Sequence, residues 1–324
     1  MHPEPPIRRV GIVGTGVIGS SWAALFLARG LDVVATDPDP QAERKLRDYI
    51  TRSWPALVRL GLSAGAAPER LSFCADPRVA LSGVDFVQES GPEQEDFKVK
   101  LFSELDAIVP ASVILASSSS GLMMSAIQKG CRRPERCVIG HPFNPPHLIP
   151  LVEVVGGAAT SLDTIERAER FYTLMGKRTI RLHKEVPGHV ANRLQAALWR
   201  EVVHLVDQGV ISVGDVDDAV TWGPGLRWGL MGPNLLFHLG GGQGGIEHFM
   251  AHLSGPFSSW WDDLGHPVLT PELKEKLIQG TKEKAAGRTI AELEKQRDEL
   301  LLSLLLLRAQ PTVASLGASP LPLP

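Results

Sequence analysis

The 324-residue chain is short of several things that would each point to a class of protein. Its three cysteines, Cys74, Cys131 and Cys137, are an odd number with no CxxC pair. That argues against a disulfide framework and fits a reducing, cytoplasmic setting. No apolar run is long enough to span a bilayer. The longest, Leu300–Ala309, is only about ten residues, half of what a membrane helix needs. It reads as the buried end of a helix or a contact between subunits. MHPEPPIRR lacks the apolar core of a signal peptide, and a strand near Ile7 leaves no room for a long transit peptide, so neither is expected. Charge of one sign is also missing. A net charge of −3 gives no broad basic field for nucleic acid or anionic lipid, and neither is expected as a partner.

What is present is ordinary globular composition, 44% apolar and 21% charged, in a chain long enough for about two domains. The first half alternates short β-branched runs with helical patterns. Strands are predicted at Arg9–Val13, Asp32–Thr36, Leu71–Cys74, Asp85–Gln88, Val113–Ala116, Cys137–Gly140 and Leu151–Val155. Helices are predicted at Val17–Arg29, Gln41–Leu60, Glu95–Ile108 and Met123–Gln128. Such alternation means a parallel sheet with crossover helices. After Pro187-Gly188 the pattern turns helical: His189–Asp207, then Ser212–Val220 with Ser212 as N-cap, then Thr281–Ala309 around Gly287. The fold class expected is α/β, a Rossmann-type doubly wound sheet (1–186) followed by an all-α C-terminal domain (187–310). The Pro-rich segment 311–324 is expected to be disordered.

The run VGIVGTGVIGS places Gly14, Gly16 and Gly19 between a strand and a helix. The three glycines serve a tight turn, close approach of backbone to pyrophosphate, and close helix–strand packing. The pyrophosphate would rest on the helix N-terminus. Asp37 ends the second strand 23 residues after Gly14. A carboxylate there bonds ribose hydroxyls and repels a 2′-phosphate, so the expected cofactor is NAD rather than NADP.

A second constellation is GHPFNPPHLIPLVEVVGG. His141 ends one strand and Glu153 lies 12 residues on, within the next. A carboxylate held against an imidazole fixes its tautomer and stabilises the imidazolium, which suits a general base. On spacing alone, the plainer reading is a histidine at the sheet edge beside a solvated Glu153.

Taken together, LASSSSGL, GHPFNPP, PLVEVVGG and PGHVANRL resemble, in order and spacing, the 3-hydroxyacyl-CoA dehydrogenase family. The likeness runs from Arg9 to about Gly232. It implies a Rossmann-type domain, a helical dimerisation domain and a homodimer. It also implies that His141 is the base with Glu153 its partner, and that Ser120 bonds the substrate oxygen. Asn192 would complete the site, Asn144 would hold nicotinamide or substrate, and Glu93 and Lys98 would line the cofactor cleft.

Departures from the acyl-CoA enzymes gather after Thr221, where the chain looks more like the free-acid branch, L-carnitine dehydrogenase and L-gulonate 3-dehydrogenase. The resemblance therefore implies NAD-dependent oxidation of the 3-hydroxyl of a small free L-3-hydroxy acid. Arg227 offers the planar double donor that a substrate carboxylate needs and a CoA thioester does not, the plainer reading being an interface or surface arginine. Trp228 stands beside it, and the tryptophans of this half (Trp222, Trp228, Trp260, Trp261) offer faces for a quaternary ammonium group or for packing. The alternatives are a short-chain L-3-hydroxyacyl-CoA dehydrogenase and a crystallin-like NAD-binding structural protein. His248 and His252 have metal-ligand spacing, but position 249 is Phe249 and no third ligand lies near, so no metal is expected. His147 and His189 read as loop and helix residues outside the reacting set. The Gly240–Gly245 run, with no strand before it, is not taken as a second phosphate loop.

Overall fold

The computed structural model describes residues 6–310. The segment 311–324, expected to be disordered, lies outside the described residues. The chain divides into two compact units, one of residues 6–192 and 296–310, the other of residues 193–295.

The first unit is built on eight strands: β1 (Arg9–Val13), β2 (Asp32–Thr36), β3 (Leu71–Phe73), β4 (Phe86–Glu89), β5 (Ile114–Ser117), β6 (Cys137–Pro142), β7 (Leu151–Gly156) and β8 (Arg178–Leu182). They form one sheet in the order β3-β2-β1-β4-β5-β6-β7-β8. Every neighbouring pair is parallel except β6–β7. The helices of this unit are α1 (Val17–Ala28), α2 (Ala42–Leu60), α3 (Pro77–Ala80), α4 (Glu95–Ile108), α5 (Met124–Ile127) and α6 (Leu162–Leu174).

Successive strand residues point to opposite faces, and here both faces are covered. Val10, Ile12, Phe86 and Ile114 pack with Trp22, Phe26, Phe171 and Tyr172 of α1 and α6. Val13, Val34, Val87 and Leu115 pack with Leu105 and Phe102 of α4 and Met124 of α5. That is why the strands read as near-continuous apolar runs. The sheet winds outward from β1 to β3 and returns to β4 on the other side. The carboxyl ends of β1 and β4 therefore flank the crevice where open α/β sheets take ligands.

The second unit is helical. α7 (Ala191–Asp207) begins in the first unit and continues into it, followed by α8 (Val213–Trp222), α9 (Pro224–Trp228), α10 (Pro233–Gly240), α11 (Gly245–Asp263), α12 (Pro271–Ala285) and α13 (Ile290–Ala309). Ser212 caps α8 by accepting from the amide of Asp215, as its sequence signals. The expected single helical pattern Thr281–Ala309 is two helices. Ala286 and Gly287 take left-handed φ of 51° and 76° and end α12, and Thr289 with Glu292 forms a capping box that restarts the chain as α13.

The division also departs from a helical domain spanning 187–310. The end of α13 belongs to the first unit, where Leu302 and Leu305 are buried and Glu299 accepts from Arg59 at 2.7 Å. The apolar run at Leu300–Ala309 is thus in part core. Among the described residues no helix is long and apolar enough to cross a membrane.

Candidate active site

At the end of β1, Gly14 has a φ of +87°, and a Cβ there would lie 2.8 Å from the carbonyl oxygen of Ser90, beyond β4. Only glycine lets the two strand ends come this close at the crevice. Gly19, one turn into α1, approaches the same loop: a Cβ would sit 1.9 Å from the Gly14 carbonyl oxygen. Gly16 differs, because a Cβ would meet nothing within 4 Å. It stands at the N-cap of α1, with no side-chain cap over the helix N-terminus. The first N–H groups of a helix have no intrahelical acceptor. Here no side chain caps them and the space beside Gly16 is open, which suits an anion.

Asp37, just past β2, is fixed by that loop. Its Oδ2 accepts from the amide and hydroxyl of Thr15 at 2.7 and 3.1 Å, and its Oδ1 from the amide of Asp39 at 2.9 Å. The carboxylate is thereby oriented beside the glycine turn. The glycine cradle, the uncapped helix start and the placed carboxylate together fit a dinucleotide without a 2′-phosphate.

The antiparallel β6–β7 pair sets the reacting groups. His141 and Glu153 are directly opposed in register, so their side chains share one face. His141 Nδ1 and Glu153 Oε2 are 2.7 Å apart. Glu153 is fully buried, not solvated, and its Oε1 accepts from the amides of Val190 and Ala191 at 2.9 and 3.0 Å, at the start of α7. Burial would raise this carboxyl's pKa, but the His141 contact and the two amides outweigh it and hold the group below its ordinary value. An ionised Glu153 draws the proton of His141 onto Nδ1 and leaves Nε2 as the acceptor.

Beyond β5, the serine turn is organised by one carboxylate. Glu93 Oε1 accepts from Ser119 Oγ (2.7 Å), Ser120 N (2.9 Å), Gly121 N (3.0 Å) and Ser120 Oγ (3.2 Å). Desolvation opposes ionisation of Glu93, yet the Ser119 hydroxyl, the Lys98 charge and the amides keep its pKa below the ordinary value. Asn192, in the first turn of α7, donates from Nδ2 to the carbonyl oxygen of Ser120 at 2.8 Å. Ser120, Asn192 and Glu93 therefore form one connected group.

Lys98 sits differently from its reading as a cleft-lining residue. It is 1% exposed, and its Nζ donates to both oxygens of Glu89 at 2.7 and 2.9 Å, with Glu93 Oε2 at 3.7 Å. A buried ammonium needs a carboxylate, and Glu89 supplies it from the end of β4 while also accepting from Ser117 Oγ and Gly91 N. No motif singles out Glu89. The signal available was an acid ending a strand that otherwise reads as buried.

Asn144 is exposed in the loop after β6. Arg227 and Trp228 lie in the second unit on α9, with Trp228 exposed. His189, read as the start of a helix, is instead in the turn before α7 and deeply buried, with its ring centroid 5.3 Å from that of His141.

Comparisons with known proteins identify the family of the chain. Residues 9–186 match the model of the 3-hydroxyacyl-CoA dehydrogenase NAD binding domain, and residues 188–284 match that of the 3-hydroxyacyl-CoA dehydrogenase C-terminal domain. The L-carnitine dehydrogenase of Streptomyces griseus is 48% identical over 92% of this chain and 89% of its own length. That of Pseudomonas putida is 46% identical over 92% and 93%. Among solved structures, 5-formyl-3-hydroxy-2-methylpyridine 4-carboxylic acid 5-dehydrogenase, an NAD⁺-dependent dismutase, superposes with a TM-score of 0.80 at 30% identity, covering 93% of this chain and 98% of that one. With both halves of the molecule matched and a dinucleotide cradle in place, the chain belongs to the 3-hydroxyacyl-CoA dehydrogenase family and is an NAD-dependent oxidoreductase.

Proposed function

We propose that the enzyme oxidises the 3-hydroxyl of a free L-3-hydroxy acid to the 3-keto acid, with L-carnitine the substrate favoured over L-gulonate. The observation that carries the chemistry is the buried His141–Glu153 pair at 2.7 Å. His141 Nε2 takes the hydroxyl proton, Nδ1–H stays on Glu153, and the buried carboxylate stabilises the imidazolium that forms. NAD, when bound, supplies the hydride acceptor; Gly14, Gly16, Gly19 and Asp37 would hold it. Ser120 and Asn192 orient the substrate oxygen, with Glu93 fixing the serine turn beneath them. Asn144 holds nicotinamide or substrate from the loop after β6.

The choice of acid rests on the relatives, L-carnitine dehydrogenases 44–48% identical over about nine-tenths of this chain, and on Arg227 and Trp228. In this reading Arg227 pairs with the substrate carboxylate and Trp228 offers its face to the trimethylammonium group. The enzyme works in the cytoplasm as a homodimer joined through its helical unit, where large apolar side chains such as Trp222 (78% exposed) and Trp261 (65%) are uncovered in the single chain.

Turnover should be compared for L-carnitine, L-gulonate, L-3-hydroxybutyrate and L-3-hydroxybutyryl-CoA. L-Carnitine turned over well and the thioester poorly is the expected result, with Arg227→Met raising KM for the free acid by about tenfold or more. Turnover of the thioester alone would return the enzyme to the acyl-CoA branch. Light scattering that reports a monomer would remove the dimer.

A further inference from the structure

His189 bears two costs at once. Its backbone lies in the left-handed region, φ 51°, directly after Gly188 at φ 76°. Among the described residues the only other non-glycine there is Ala286, at the exposed end of α12. Such a conformation costs a residue with a Cβ free energy that the surroundings must supply. The imidazole is also 1% exposed, and its Nδ1 is the one buried side-chain polar atom among the described residues without a hydrogen-bond partner. An unpaired buried acceptor is normally avoided.

The other ring nitrogen explains the placement. His189 Nε2 lies 3.1 Å from the carbonyl oxygen of Ser119, an atom that can only accept, so the proton is on Nε2 and Nδ1 carries the lone pair. Desolvation, and the nearby His141, keep the pKa of His189 below its ordinary value, which preserves this neutral form. The titratable groups around it are His141, Glu153 and Glu93. The next two residues, Val190 and Ala191, donate their amides to Glu153. One turn of chain thus grips the serine loop with a side chain and the carboxylate behind the base with its backbone.

We propose that His189 is a positioning residue for the oxidation: it ties the Ser119–Ser120 turn to the His141–Glu153 pair and holds the two halves of the reacting site at a fixed separation. This rests on the reading of His141 as the base. Strain and an unsatisfied atom are retained at one residue because the left-handed turn is what lets the ring reach Ser119 while Val190 and Ala191 face Glu153.

The test compares His189→Phe, which roughly keeps the volume and loses both ring nitrogens, with His189→Gln, whose amide can again donate to the Ser119 carbonyl. Both are assayed with NAD and L-carnitine, or whichever acid the panel identifies. We expect His189→Phe to lower kcat by about tenfold to a hundredfold, the scale of a small misplacement of reacting groups, with KM for NAD within about twofold. Its Tm should stay close to that of the parent, because the lost bond to the Ser119 carbonyl is set against removal of the unpaired buried Nδ1, and His189→Gln should recover part of the lost kcat. An unchanged kcat in His189→Phe overturns the proposal. So does a parallel loss of kcat and Tm that His189→Gln does not relieve, since that marks ordinary packing. His141→Gln in the same assay separates the two readings. Activity retained there refutes the base itself, whereas an inactive His141→Gln beside a fully active His189→Phe refutes only the role given to His189.

Discussion

Replacing Glu153 by glutamine keeps the shape of the side chain and turns one oxygen into an NH2 group. The structure determines which one. Oε1 faces the amides of Val190 and Ala191 at 2.9 and 3.0 Å, which only donate, so the glutamine oxygen must stay there. The NH2 group then faces His141 Nδ1, which must accept, and the imidazole proton moves to Nε2. A ring protonated at Nε2 cannot take the substrate proton. A general base contributes about 10²–10⁴ in rate, and the same carboxylate-to-amide change in a Ser–His–Asp triad costs about 10⁴ in kcat. The expected loss in kcat is therefore about 10²–10⁴, or about 2.7–5.4 kcal/mol in the barrier. NAD affinity should not change, because Gly14, Gly16, Gly19 and Asp37 are untouched. The assay is NADH formation at saturating substrate, with NAD binding measured separately by fluorescence. A Glu153→Gln enzyme within about threefold of the parent kcat would refute the tautomer argument.

Stability should fall on acidification. Glu153 and Glu93 have folded pKa values below their unfolded values, so the native state binds fewer protons in that window; the stabilisation is present above the ordinary glutamate value and is lost as pH falls through the depressed ones. Urea unfolding across the carboxylate range should show a smaller acid loss for Glu153→Gln than for the parent. Gly19→Ala forces a Cβ to 1.9 Å from a backbone oxygen, where nothing flexible can yield, and should lower stability by about 1–3 kcal/mol while weakening NAD binding; an unchanged Tm and Kd would count against the tight cradle. Asp37→Asn should raise the ratio of NADP to NAD use by about tenfold or more, read as kcat/KM for each cofactor, and an unchanged ratio would remove Asp37 as the discriminating group. Lys98→Met strands the buried Glu89 carboxylate and should cost about 3–5 kcal/mol in denaturant unfolding; a loss under about 1 kcal/mol would mean that Ser117 and the Gly91 amide suffice.

The parts of the molecule most legible in the sequence are those where one local rule decides the outcome. The unit β1–α1–β2 follows from strand, glycine turn, helix and acid, and both strands have the expected limits. β6 and β7 were legible as strands, but their pairing was not: spacing alone favours a solvated Glu153, and the register that sets it against His141 is fixed by the antiparallel ladder. β8 was not: Arg178–Leu182 is an edge strand of half-buried and exposed residues with arginine at two positions, so it has no apolar run. α6 and α12 carried readable starts in Ser161 and in Thr270-Pro271, but their apolar residues are diluted by charge. The Glu89–Lys98 pair depends on β4 and α4 meeting in space, and a left-handed His189 defies local preference, as expected where tertiary structure overrides it.

The β6–β7 ladder also bears on which changes of length the enzyme can absorb. Residues opposed across an antiparallel pair keep their partnership whatever the length of the loop that joins them, so an extra residue beside the exposed Asn144 can bulge outward and leave His141 facing Glu153, although the buried stretch 145–148 is tied down by His147 to Ser21 and by Lys177 to the carbonyls of Pro146 and Ile149. The same residue inserted within β6, between Cys137 and His141, rotates the ring to the other face of the sheet and separates it from its carboxylate. In relatives and in engineered variants alike, insertions compatible with turnover should fall in that loop, where the substrate-facing surface can be reshaped, and should be missing from the two strands beside it.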